Sequence, residues 1–344
     1  MKKYKVAVVG ATGAVGLEMI KMLENKNFPI ESIKFFASER SIGKKLKYKN
    51  KNHTVELLTK SGTKNIDIAL FSAGVKVSKE FASIFVDNGS FVIDNSSAWR
   101  MDKNVPLIVP EVNPHDLKKE KKLIANPNCS TIQMVVVLKP LHDFAKIKRV
   151  IVSTYQAVSG AGQKAIDEFK NQIKTWAIKD KKSLESNNKS KFYYPIAFNL
   201  IPQIDAFTEN GYTKEEMKMT NETKKIMGDS SIEISATCVR VPVFRSHSEN
   251  IWIETEKSLS PEYAKILLSK SNGIMLLDEP QKRKYPMPLF VENTQVTYVG
   301  RIRSDISKKN NNALTFWIVS DNLLKGAALN AVQIAETLIQ SRLL

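Results

Sequence analysis

The sequence has few cysteines, few histidines and no long apolar run. Two cysteines in 344 residues cannot build a disulfide framework, and they fit a reducing compartment better than an oxidising one. No apolar stretch approaches the roughly 18 residues that a membrane-crossing helix needs; the best candidates, around residues 134–138 and 251–253, are interrupted by charge, Pro or Gly. The opening MKKYKVAVVGATG turns at once into a strand and a glycine loop, with no apolar core or small-residue cleavage site of an export signal. The expectation is a cytoplasmic protein with no membrane partner. Four histidines leave few choices for an imidazole acid–base group, and no metal site is expected. No internal repeat is visible.

Lysine is abundant, and the formal net charge is +17. A nucleic-acid groove would gather its basic residues beside aromatics. Here Lys2, Lys44, Lys118, Lys148, Lys181, Lys224 and Lys308 are spread along the whole chain. That distribution describes a solvated surface that attracts small anions, so no nucleic-acid partner is expected.

The first third alternates apolar runs with helical patterns. Residues 5–10, 33–37, 66–71 and 91–94 read as strands, and 14–26 and 78–88 as helices. This alternation predicts a doubly wound, mostly parallel sheet. Beyond Cys129 a helical segment (130–138) is followed by longer alternating runs at 150–155, 232–243, 250–255 and 294–303. Those predict a mixed or antiparallel sheet with one face open to water. Residues 179–191 read as an exposed loop or frayed helix end. Residues 322–343 read as the cleanest helix: Leu324, Ala328, Ala331, Ala335 and Leu338 form one stripe, and Asp321 can cap the start.

Between the first strand and the first helix lies Gly10-Ala-Thr-Gly13-Ala-Val-Gly16. Glycine suits a tight turn whose backbone must approach a pyrophosphate at a helix N-terminus. The spacing is G-x-x-G-x-x-G, and its strand–helix context is what gives it weight. Dinucleotide folds that take NAD place an acid about 20 residues further on, against the ribose hydroxyls. Here the second strand runs into Ser38-Glu39-Arg40-Ser41, with Lys44 and Lys45 behind. Arg40 and Ser41 suit a 2′-phosphate, so NADP is the expected cofactor; Glu39 works against it.

Asn126-Pro127-Asn128-Cys129-Ser130-Thr131 leads into an apolar helix. A cysteine at a helix N-terminus meets unpaired N–H groups and the positive dipole end, which favour a thiolate. Cys238 lies inside an alternating strand and reads as structural. A thiolate nucleophile needs an acid–base partner. His53 sits in a Lys/Asn-rich stretch, His115 follows a Pro and His142 has charged neighbours. His247 lies between two strands, where a loop residue can reach a site; the residues alone leave it balanced against a surface histidine.

The strings GATGAVG, DNSSAWRMD (94–102), VPEVN (109–113), NPNCSTIQ (126–133), SGAG (159–162), RVPVFRSHSE (240–249) and SDNLLKGAALNAVQIAE (320–336) together resemble the bacterial-type aspartate-semialdehyde dehydrogenases. They occur in that family's order along nearly the whole chain. The acetylglutamyl-phosphate reductases share the architecture and the cysteine but not this set of strings. A nucleotide-binding regulator without catalysis would leave the strings around Cys129, Arg240 and His247 unexplained.

The resemblance implies an α/β protein. A Rossmann-type NADP-binding domain (1–127) is completed by the C-terminal helix (322–344), and an α+β catalytic and dimerisation domain with a mixed sheet spans 128–321. It implies reductive dephosphorylation of L-aspartyl-4-phosphate to the 4-semialdehyde, in lysine, threonine, methionine and diaminopimelate biosynthesis, by a homodimer. It assigns Cys129 as the acyl-thioester nucleophile, His247 as the acid–base catalyst and Gln156 as the residue orienting the acyl group. Arg100, Asn128 and Lys225 would hold phosphate, with Lys224 as the alternative lysine. Arg240 would pair with the α-carboxylate and Glu222 with the ammonium. Gly10, Thr12, Gly13, Ala14, Val15, Arg40, Ser41, Ser72, Ser159, Gly160 and Asn322 would line the NADP site.

Overall fold

The computed structural model describes residues 2–179, 190–308 and 312–344; residues 180–189 of the expected loop lie outside them. The chain divides into two compact units, Met1–Asn128 with Gly326–Leu344, and Cys129–Lys325.

The first unit begins β1 (Tyr4–Val9), α1 (Ala14–Asn25), β2 (Ile30–Ala37), β3 (Lys45–Tyr48) and β4 (Lys51–Leu57). It continues β5 (Ile68–Phe71), α2 (Val75–Asp87), β6 (Phe91–Asp94) and β7 (Leu123–Ala125). These strands form one sheet of order β3-β4-β2-β1-β5-β6-β7. Every neighbouring pair is parallel except the β3–β4 hairpin at the edge. The strand order reverses at β1, so β1 and β5 flank the point where open α/β sheets bind ligands. Strands β5 and β6 are buried along their whole length, as a sheet covered on both faces requires. Phe71 and Phe85 pack edge to face with centroids 5.4 Å apart in this core. The hairpin was not legible in the sequence, because KLKY and KNHTVEL carry mostly polar and charged residues.

The second unit contains α3 (Cys129–Ala145), β8 (Ile147–Gln156), α4 (Gln163–Lys179), α5 (Lys214–Met227), β9 (Glu233–Arg240) and β10 (His247–Thr255). It continues α6 (Pro261–Ser269), β11 (Ile274–Leu276), α7 (Pro288–Val291), β12 (Thr297–Ser304) and β13 (Ala313–Ser320). Its sheet has the order β11-β12-β13-β10-β8-β9. It is mixed: β8–β9 and β11–β12 are parallel, the other pairs antiparallel. One face carries Val150, Val152, Ala236, Ile251, Ile253 and Phe316 into a core shared with Met134, Val137, Leu138 and Leu141 of α3. The other face keeps Ile151 43% exposed and stacks Tyr155 on Trp317 with ring centroids 5.3 Å apart.

Helix α5 follows local rules closely. Thr213 and Glu216 form a reciprocal capping box at its start, and Gly228 closes it in the left-handed conformation. The final segment departs from the expected continuous helix. Asp321 Oδ1 accepts from Leu323 N at 2.9 Å and Leu324 N at 3.2 Å. A widened π turn then runs over Leu324–Ala328 before α8 (Leu329–Gln340) begins. Helix α8 packs in the first unit against α1, where Asn330 Nδ2 donates to Asn126 Oδ1 at 2.6 Å and to Ile108 O at 3.0 Å. Among the described residues, no helix is long and apolar enough to cross a membrane.

Candidate functional site

In the first unit the glycine loop joins β1 to α1 at the reversal of strand order. Gly10 has φ +86°, and a Cβ there would sit 2.8 Å from the backbone of Ser72 at the end of β5. A Cβ on Gly16 would sit 2.2 Å from Gly10 O. Any side chain at either place would push the loop apart. Gly13 enters α1 without a side-chain cap, and no acid occupies the helix's first turn. Gly13 N donates to Gly10 O at 3.0 Å, so the N–H groups of Ala14 and Val15 at the helix start are the ones placed for an anion, as a bound pyrophosphate requires. Ser72 Oγ donates to Gly10 O at 3.3 Å, tying the end of β5 to the loop. Thr12 Oγ1 donates to Ser41 Oγ at 3.3 Å, which brings the loop after β2 against the glycine loop. Arg40, beside Ser41, is exposed and unobstructed by burial. These residues fit a dinucleotide.

Arg100 and Asn128 also lie in this unit. Arg100 follows β6, and its Nη2 donates to Asn95 O at 2.8 Å. The Asp94 carboxyl just before it accepts from Ser78 Oγ at 2.9 Å and from Ser96, which fixes the turn that carries the guanidinium. Asn128 is buried immediately before α3.

In the second unit three of the candidate side chains come from strand ends. Gln156 and Arg240 are direct partners on β8 and β9. His247 is the first residue of β10 and pairs with Ser320 of β13, so the expectation that it sits in a loop is corrected. All three project from the sheet face that carries the apolar core, and all three are buried. Cys129 opens α3 and is partly exposed. Arg240 Nη1 donates to Ala157 O at 2.7 Å. Burial lowers the guanidinium's pKa, while the charges of Glu215 and of a Cys129 thiolate oppose that shift. Arg240 thus lies within electrostatic reach of Cys129.

His247 Nδ1 accepts from Ala157 N at 3.0 Å, which leaves the ring proton on Nε2. Nε2 is buried and has no partner within the protein. A buried donor without a partner is costly, and it marks where a ligand belongs. Burial first, and then the Arg240 charge, hold the imidazole pKa well below the ordinary histidine range, so the ring is neutral. Gly160 borders the same point, because a Cβ there would lie 3.1 Å from both Arg240 Nη1 and His247 Nε2. Asn322 supports this corner: its Nδ2 donates to Ser159 Oγ at 3.0 Å, and its Oδ1 accepts from Ser246 N at 2.9 Å. Ser246 has φ +73°, a strained value for a non-glycine residue that aims the start of β10.

The remaining histidines have other surroundings. His53 packs edge-on to Phe35 with centroids 5.6 Å apart. His142 Nδ1 accepts from Ile147 N at 3.2 Å. His115 is exposed. Among the described residues, no cluster of His, Cys, Asp and Glu could hold a metal ion.

Helix α5 supplies residues that sequence reasoning missed. Glu215 Oε1 accepts from Gln156 Nε2 at 3.3 Å, and its Oε2 lies 3.1 Å from Lys218 Nζ. Glu215 therefore joins Gln156 and Arg240, and Lys218 joins Glu215. Glu222 and Lys225 lie further along the same helix; Glu222 is buried and Lys225 half-buried. A signal was available, since the capping box assigns Glu216 to the helix start and leaves its neighbour Glu215 for another task.

Comparison with known proteins agrees with this geometry. Residues 5–120 match the semialdehyde dehydrogenase NAD-binding domain. Residues 138–325 match the semialdehyde dehydrogenase dimerisation domain. The chain is 56% identical over 344 residues to aspartate-semialdehyde dehydrogenase of Aquifex aeolicus, covering 99% of each chain. It is 49% identical over 338 residues to that of Bacillus subtilis, covering 97% of this chain and 96% of the other. Among solved structures, aspartate semialdehyde dehydrogenase II of Vibrio cholerae complexed with ASA superposes with a TM-score of 0.92 at 43% identity, covering 99% of each chain. The enzyme of Candida albicans with NADP superposes with a TM-score of 0.76 at 26% identity, covering 100% of each. A dinucleotide cradle in one unit, a helix-start cysteine with a buried histidine in the other, and full-length similarity lead to one conclusion: the chain belongs to the aspartate-semialdehyde dehydrogenase family of oxidoreductases.

Proposed function

We propose that the protein converts L-aspartyl-4-phosphate to L-aspartate 4-semialdehyde, reversibly, through a thioester on Cys129, with NADP as cofactor. The observation that carries the reading is the buried, unpartnered Nε2 of His247 beside Arg240, in the unit whose helix start holds Cys129.

The Cys129 thiolate attacks the acyl carbon, and the bond from that carbon to the phosphate oxygen breaks as phosphate leaves with the electron pair. A thioester remains. NADPH, when bound, supplies the hydride that reduces it. The resulting tetrahedral alkoxide re-forms the carbonyl and breaks the carbon–sulfur bond, which releases the semialdehyde and returns Cys129 to the thiolate. The N–H groups at the start of α3 stabilise the tetrahedral oxygens. His247 Nε2 presents its proton at the same centre as the acid–base partner. Gln156 orients the acyl group, and Arg240 grips the α-carboxylate with a planar fork that lysine lacks.

For the ammonium we assign Glu215 in place of Glu222, because Glu215 sits with Gln156 and Arg240. Lys218 takes the phosphate role in place of Lys225, because its Nζ is held beside that carboxylate; Arg100 and Asn128, in the first unit, keep the phosphate role that the resemblance gives them. Ser159, Gly160 and Asn322 keep a cofactor-binding role in the second unit, and in the first Arg40 and Ser41 receive the 2′-phosphate. The half-exposed aromatic sheet face of the second unit, with Tyr155 and Trp317, is the homodimer surface. The reading places the protein in the cytoplasm, in amino-acid biosynthesis.

The test is NADP⁺ reduction with aspartate semialdehyde, with and without phosphate. Steady turnover is expected only with phosphate. Equal rates without it would show that the acyl group is not passed to phosphate.

A further inference from the structure

Beneath the strand-end residues, the next row across the sheet is polar where a core row is normally apolar. Glu249, Thr154 and Cys238 are register partners on β10, β8 and β9, and all three are fully buried. The row after it, Ile251, Val152 and Ala236, is apolar. Two of the three polar groups have partners: Thr154 Oγ1 accepts from Gln156 Nε2 at 3.4 Å, and the Cys238 thiol bonds to Thr154. Glu249 differs. Both of its carboxyl oxygens are buried without a partner.

The side chain facing Glu249 is Gln133, four residues after Cys129 on α3 and so one turn along the same helix face. Gln133 Nε2 donates to His247 O at 3.5 Å, while its Oε1 is buried without a partner. Glu249 Oε1, Glu249 Oε2 and Gln133 Oε1 are therefore three buried acceptors with no donor among them. Turning the Gln133 amide over does not help, because its oxygen would then face the His247 carbonyl. One added proton on Glu249 turns one of its oxygens into a donor for Gln133 Oε1, which pairs two of the three atoms.

We propose that Glu249 is a positioning residue: it is protonated, its O–H donates to Gln133 Oε1, and Gln133 Nε2 is thereby committed to the His247 carbonyl. The chain Glu249–Gln133–His247 ties the helix that begins with the nucleophile to the strand that begins with the imidazole. It rests on the roles given above to Cys129 and His247. Burial, which pushes the Glu249 carboxyl well above the usual range and is offset in part by Gln133, agrees with the neutral form.

Two variants and one spectrum test this. E249Q keeps the volume and a donor and should retain wild-type kcat. E249L keeps the volume without the donor and should lose about tenfold or more in kcat with little change in KM, since small misplacements of reacting groups are costly. Infrared difference spectra should show the carbonyl stretch of a neutral buried carboxylic acid in wild type and not in E249Q. E249Q as impaired as E249L, wild-type kinetics in E249L, or no neutral-acid band would each overturn the proposal. If E249L fails to fold, E249Q and the spectrum still decide. The spectrum needs no turnover, so it reports on Glu249 even if the thioester reading fails.

Discussion

The two units solve the problem of holding a ligand in opposite ways. The first does it with backbone. Gly10 and Gly16 lie in one loop and must have no side chain, as the 2.2 Å approach of a Gly16 Cβ to Gly10 O makes plain. In the second, the proposed site draws on side chains brought from separate places: Cys129 from a helix start, Gln156, Arg240 and His247 from three strands, Glu215 from another helix. A backbone cradle tolerates much around it and nothing within it. A side-chain cluster depends on each member having the right charge and its neighbours having the right register.

The sharpest way to break that comparison is at Cys129, the proposed nucleophile. Cys129→Ala should abolish turnover while cofactor binding, followed by nicotinamide fluorescence, stays intact, because the glycine loop belongs to the other unit. Near-normal turnover would end the thioester mechanism. The next effect in size is at Arg240, the proposed carboxylate clamp. Arg240→Lys should lose at least about tenfold in kcat/KM, because a charge-assisted hydrogen bond contributes roughly 1.5–3 kcal/mol. An unchanged value for the semialdehyde would move the carboxylate to another residue.

Comparing Glu215→Gln with Glu222→Gln sharpens the picture within α5. Glu215→Gln should raise KM for the semialdehyde by the larger factor, since it removes the charge beside Gln156 and Arg240. The reverse order would return the ammonium to Glu222. The smallest effect belongs to the first unit. Arg40→Ala should shrink the preference for NADP over NAD, measured as a ratio of kcat/KM values, by about tenfold at most given Arg40's exposure. Glu39→Ala should widen it. Equal weakening of both cofactors would make Arg40 a surface cation only.

What could be read directly from the sequence follows the same division. The glycine loop, the strand before it and the helix after it are contiguous, so their chemistry is visible as a string. The hairpin of β3 and β4 was not visible, because an edge pair can be built from Lys and Asn without an apolar alternation. The helix expected from residue 322 was placed correctly in its apolar stripe. Its opening was not, because the π turn at Leu324–Ala328 is decided by where Asp321 holds the chain. Glu222 and Glu215 look alike as acids on one helix, and only the contact with Gln156 separates them.

By itself, the sequence determined the local devices: a phosphate-binding turn, a cysteine at a helix start, a capping box at Thr213 and Glu216, and the alternations that become strands. Each depends on residues a few positions apart, within reach of one turn of backbone. The tertiary structure decided what depends on register. It put Gln156 opposite Arg240 and Glu249 opposite Thr154, turned His247 so that Ala157 N–H occupies Nδ1 and leaves the proton on Nε2, and set Gln133 against a carboxyl more than a hundred residues away. A one-residue slip of a strand sends every side chain to the other face. The packing of the sheet against α3 chooses the register, and no short stretch of sequence carries that choice.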